Sequence, residues 1–158
     1  MVCTKQKDLK VASNLEQLNP ESRVMGIDYG EKRIGIAISD PLKIFATPFN
    51  TLVNDNQSLQ KLLLIIKEKN IIKIVLGLPS GKFKSSQLLS EKIHLFKKEI
   101  EAAIQVEIIF WDEEFSSVIA QEKVNESVTK KSSRRKKNLL DMHAAAIILQ
   151  EYLNSTKS

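Results

Sequence analysis

One cysteine, Cys3, is all that the 158 residues contain. That excludes an internal disulfide and any zinc cluster built on cysteine, and so near the start the thiol reads as incidental. Long apolar runs are missing as well, so no segment has the length of a membrane-spanning helix. The opening "MVCTKQKDLKVASNLEQLNP" lacks the continuous apolar stretch of a secretion signal, which makes the cytoplasm the expected location. Glycine is sparse too. Gly26, Gly30, Gly35, Gly77 and Gly81 do not fall in the spacing of a P-loop or a dinucleotide-binding loop.

What is present is the composition of a soluble globule, 42% hydrophobic and 27% charged. A chain of this length suits one domain that buries roughly two-thirds of its unfolded surface. The net charge of +5 is concentrated. "TKKSSRRKK", residues 129–137, holds six of the 24 basic residues, and without them the chain is close to neutral. A cationic block of this kind fits a polyanionic partner such as nucleic acid, with a solvated charged loop as the plain alternative.

Residues 1–22 read as a polar N-terminal extension with no persistent period, and residues 23–154 as a single domain. "RVMGID" predicts a strand, and "RIGIAISD" its hairpin partner across Tyr29-Gly30-Glu31-Lys32. "IFATPFNTL" predicts a third strand, at a sheet edge because Pro48 cannot donate to a ladder. Leu59, Leu62, Leu63 and Ile66 share one helical face, so a helix is expected from Asp55 to Lys69, capped by Asn54 or Asp55. "IIKIVLGL", residues 71–78, reads as a strand covered on both faces. A helix over 86–103, a strand "VEIIFW" over 106–111, a helix beginning near Ser116 and Ser117, and a last helix from about Leu139 to Leu153 complete the order. The fold class is α/β: a three-strand antiparallel meander extended by two parallel strands into one mixed five-stranded sheet, flanked by helices.

Carboxylates stand at telling places. Asp28 ends the first strand, and Asp112 and Glu113 follow directly on "VEIIFW". Asp141, expected in the first turn of the last helix, shares a face with Ala144, Ala145 and Ile148. Each acid alone has an ordinary structural explanation: a hairpin brace, a charge at a helix start, a first-turn acid. Gathered, they would repel one another and need a cation. Sites built from oxygen suit Mg²⁺ or Mn²⁺, and two such ions can organise phosphodiester hydrolysis. Other residues read as structural. His94 falls on a helix surface, His143 points away from Asp141, and Trp111 belongs to the core. Gly30 permits a tight turn.

At these residues the sequence resembles the bacterial pre-16S rRNA nuclease family, also described as Holliday-junction-resolvase-like, with an RNase H-like fold. "GIDYGEKRIGIAISD" is similar to its opening motif, "VLGLP" to its middle strand and turn, "DEEFSS" to its acid-plus-hydroxyl motif and "DMHAAAIILQEYL" to its closing helix. The resemblance implies that Asp28, Glu113 and Asp141 are the metal-binding, catalytic acids. It implies a metal-dependent endonuclease, using two Mg²⁺ or Mn²⁺ ions, in 5′-end maturation of 16S rRNA. Asp112 would support its neighbour, and Ser116 and Ser117 would cap a helix or contact phosphate. Two departures from the family pattern are visible. The loop after "GLP" is "SGKFKSS", with Lys84 near an expected glycine, and Glu114 stands where arginine is common.

The expectation is therefore a nuclease, monomeric or weakly dimeric, that acts on structured RNA or branched DNA and has no membrane partner. Arg33, Lys136 and Lys137 are the candidates for backbone phosphate contacts. A Holliday-junction resolvase and a nucleic-acid-binding module that cuts nothing stay open as alternatives. An ATPase of the actin and sugar-kinase type shares the strand–acid–turn opening, but it needs two subdomains around its nucleotide.

Overall fold

The computed structural model describes residues 21–79, 81, 83–113 and 134–157. Strand β1 (Arg23–Tyr29) is buried without interruption from Val24 to Asp28, the signature of a strand covered on both faces. It turns into β2 (Arg33–Ser39), then β3 (Ala46–Val53). Helix α1 (Ser58–Glu68), strand β4 (Ile71–Leu78), helix α2 (Lys84–Ala103), strand β5 (Glu107–Asp112) and helix α3 (Arg134–Ser155) follow. The strands form one sheet in the order β3-β2-β1-β4-β5. β1 pairs antiparallel with β2 and parallel with β4, and β4 pairs parallel with β5. The expected meander plus two parallel strands is the fold observed. The helix expected near Ser116 lies outside the described residues.

Period-two alternation divides the side chains between two layers. Met25, Ile27, Ile34, Ile36, Ile74 and Leu76 face α1 and α2, meeting Leu62, Ile66, Ile93, Phe96 and Ile100. Val24, Ala37 and Val75 face the other way, onto Ala145, Ile148, Leu149 and Leu153 of α3. The α3 face is built on small residues, so that helix lies close to the strands.

β3 is the expected edge strand. Ile36 opposes Asn50 while Ala37 opposes Pro48, so Phe49 is the extra residue of a bulge beside the proline. Expectations for two helices change. The last helix starts at Arg134 rather than Leu139, because arginine and lysine are good helix formers even without an apolar stripe. Asp141 therefore sits beyond the first turn, and Arg134 to Lys137 belong to the helix rather than to a loop. The α1 cap differs as well: the cap position is Gln57, and Asp55 accepts from the Gln57 backbone N–H at 2.9 Å in an Asx turn just ahead of it. Gly30 does not use a left-handed backbone. Its N–H donates to the Arg33 carbonyl at 2.9 Å, and a Cβ there would lie 2.7 Å from that same oxygen. Among the described residues, no helix is long and apolar enough to cross a membrane.

Candidate active site

Parallel strands all end on the same edge of a sheet, and that edge is where α/β folds place ligands. Here β1 ends at Asp28 and Tyr29, β4 at Gly77 and Leu78, and β5 at Asp112, with Glu113 directly after. Register fixes their relation. Asp28 opposes Gly35 on β2, and the step after the Ile27–Leu76 pair sets it beside Gly77 on β4. Gly77 in turn opposes Trp111. Asp28 alternates with Val24 and Gly26, so it points toward α3 and not into the α1–α2 core. It is 8% exposed, an acid buried between two glycines.

Those glycines let α3 descend onto the sheet. A Cβ at Gly35 would lie 2.0 Å from the Asp141 carbonyl oxygen, and one at Gly26 would lie 2.7 Å from the Ala145 carbonyl. The backbone of α3 thus rests on backbone, and Asp141 is carried to the strand beside Asp28. At Gly77 a Cβ would meet Ile148 Cδ1 at 2.6 Å and Glu113 Oε1 at 2.9 Å. The Glu113 carboxylate therefore reaches back over β4 on the α3 face. Side-chain bonds pin the helix at both ends. Thr51 Oγ1 donates to the Asn138 carbonyl at 2.6 Å, and Gln150 bridges β3, accepting from Ala46 N–H at 2.8 Å and donating to the Ile44 carbonyl at 2.9 Å.

Arg33 Nε donates to Asp141 Oδ2 at 2.6 Å, at the short end for a charge-assisted bond. The two side chains are only 23% and 17% exposed, so the pair is partly withdrawn from water. Arg33 also lines a groove of about 640 Å³ at the β2–β3 rim, with Glu31, Lys32, Thr51, Val53, Asn54 and Asn138. Lys136 is exposed and Lys137 half-buried at the start of α3. Ser116, Ser117 and Glu114 lie outside the described residues. Trp111 is a core residue, half-buried against α3, with its indole N–H donating to Glu151 at 3.2 Å. His94 and His143 are both exposed.

Asp28, Glu113 and Asp141 thus come from three distant segments to one face of one sheet edge. Among the described residues, no three acidic, histidine or cysteine side chains are already gathered to hold a metal ion. Asp141 is instead engaged by Arg33. The donor chemistry still fits a small, hard divalent cation, since every candidate ligand is a carboxylate oxygen. The glycines on either side of Asp28 make room for the α3 backbone on one side and for Ile148 and Glu113 on the other. In the sequence Gly35 and Gly77 stand out only as glycines that fall in no phosphate-loop spacing. Their signal was a glycine inside an otherwise apolar strand, which marks close backbone approach.

Comparison with known proteins shows the family and the fold. The family model described as "RuvX: Holliday junction resolvase" matches residues 22–155. A protein from Clostridioides difficile (strain 630) named "Putative pre-16S rRNA nuclease" is 37% identical over 136 residues, covering 85% of this chain and 95% of the relative. One of the same name from Salinibacter ruber is 35% identical over 143 residues, covering 90% and 99%. Among solved structures, T. thermophilus RuvC in complex with a Holliday junction substrate superposes with a TM-score of 0.53 at 12% identity, over 87% of this chain and 96% of that one. At that identity the likeness is one of fold.

Proposed function

Because this chain belongs to the RuvX Holliday junction resolvase family, we propose that it is a divalent-cation-dependent endonuclease that hydrolyses phosphodiester bonds in structured RNA, in the cytoplasm, with pre-16S rRNA as the substrate class. The observation that carries the reading is the burial of Asp28 at the shared carboxyl end of β1 and β4, with Glu113 reaching over Gly77 and Asp141 resting on Gly35. Relatives named for pre-16S rRNA processing support the RNA substrate. The family description, and a fold neighbour solved on a Holliday junction, support branched DNA as the second reading.

Asp28, Glu113 and Asp141 would hold the cation, Mg²⁺ or Mn²⁺, which supplies Lewis acidity at the phosphate and neutralises the developing charge. The rest of the work falls to the chain. Asp28 is fixed by pairing with Gly35 on β2 and by the β4 pairing of Ile27 just before it, so its carboxylate is aimed before substrate arrives. Glu113 sits on a backbone that has just left β5 and can adjust its reach. Arg33, Lys136 and Lys137 take backbone phosphates and seat the strand in the groove at the β2–β3 rim, in line for attack by water.

The test is cleavage of a structured RNA and of a four-way DNA junction by purified protein with Mg²⁺ or Mn²⁺. Asp28→Asn should lose cleavage by at least a hundredfold while still binding nucleic acid, an effect on the order of removing one transition-state contact. Equal cleavage by wild type and Asp28→Asn would sink the reading. Preference for the junction over the RNA would favour the second substrate.

A further inference from the structure

The ion pair between Arg33 and Asp141 does not fit a residue reserved for phosphate alone. It spends a lone pair on one of the three carboxylates that the cation would use. We propose that Arg33 is a stand-in cation: it neutralises Asp141 until a backbone phosphate draws the guanidinium away, so that nucleic acid and divalent cation load together. This inference rests on the metal-dependent reading above.

Two observations and the chemistry of the guanidinium group carry it. The Nε–Oδ2 distance of 2.6 Å and the partial burial of both groups make the contact a committed one, not a passing surface pair. Arg33 is the first residue of β2 and lines the groove at the rim while its guanidinium holds Asp141, so one side chain touches both the acid and the groove. A guanidinium pairs equally well with the two oxygens of a carboxylate or of a phosphate, so the exchange costs it no hydrogen-bond geometry. A guanidinium and a divalent ion on one carboxylate repel each other. Whatever removes the first therefore favours the second, and the coupling is reciprocal. Arg33 acts here as a positioning residue, through Asp141. A resting protein would keep its acids neutralised and assemble the reactive arrangement only on substrate.

Mn²⁺ titrations followed by electron paramagnetic resonance, without nucleic acid, test the competition. Arg33→Gln, checked for folding by thermal melting, should bind Mn²⁺ about tenfold more tightly than wild type, within the range of ordinary coupling. A purely structural arginine would leave that affinity unchanged or weaken it on removal, and either result overturns the proposal. Wild-type protein gives an independent readout should the variant fold poorly. In EDTA, where nothing is cut, the Arg33 Nε–H resonance should shift in step with binding of a structured RNA. Without RNA it should shift as Mg²⁺ saturates the protein. A resonance that stays fixed in both titrations overturns the exchange. If neither wild type nor Arg33→Gln takes up Mn²⁺, the metal-dependent reading falls and takes the inference with it.

Discussion

Gly35 and Gly77 flank the same acid but should not tolerate the same substitution. At Gly35 a methyl would meet the α3 backbone at 2.0 Å, and no side-chain rotation relieves a clash with a carbonyl. Gly35→Ala should therefore cost about 3 kcal/mol or more, measured by denaturant unfolding, because the whole helix must lift. At Gly77 the neighbours are the far ends of Ile148 and Glu113, which can swing aside. Gly77→Ala should cost about 1 kcal/mol while reducing cleavage far more than stability, since it pushes Glu113 off its position. The two variants separate a residue that holds the fold from one that holds the site. Asp28 and Glu113 were legible as candidates because a charge that finishes an apolar run is hard to explain by burial alone. The Arg33–Asp141 pair was not legible, since 108 residues separate its partners and neither carries a local sign of the other.

Elements buried on both faces were the easiest to read. "IIKIVLGL" coincides with β4, Ile71–Leu78, because covering both faces leaves no polar position to blur the run. Pro48 placed β3 at the edge through the donor it lacks. The start of α3 was obscured by its charge: Arg134, Arg135, Lys136 and Lys137 are cationic and show no apolar period, yet they form helix. α3 is also the element that carries Asp141 to the candidate site. Ile148 is fully buried beneath it, and Ile148→Ala should destabilise the protein by about 2–5 kcal/mol in urea unfolding. A Gln150→Leu change should strip partners from Ala46 N–H and the Ile44 carbonyl together, costing about 1–3 kcal/mol. In both variants cleavage should fall in proportion to the undocking of α3.

At the scale of the molecule, charge governs both stability and binding. Burial pushes the Asp40 carboxyl up, but the backbone N–H groups of Phe45 and Ile44 that it accepts from outweigh this and hold it below the ordinary value near 3.8. Its stabilisation is therefore complete above that value and is lost as pH falls through the lower, folded one. Lys73 runs the other way. The Tyr152 hydroxyl holds it above its ordinary 10.5 despite partial burial, with Glu107 adding to the effect. That contribution is full below 10.5 and disappears as pH rises through the folded value. Melting temperatures across pH should thus fall at both extremes, and Asp40→Asn should flatten the acid limb. Nucleic-acid affinity should fall with salt, and replacing Lys136 and Lys137 together by alanine should flatten the log–log slope by about 1.4 to 1.8. The order of the elements has one more consequence. Every described strand precedes α3, so the helix that carries Asp141 can dock only after translation has passed β1 to β5. Synthesis therefore leaves one face of the finished sheet, with Val24, Ala37 and Val75, bare until its last helix arrives.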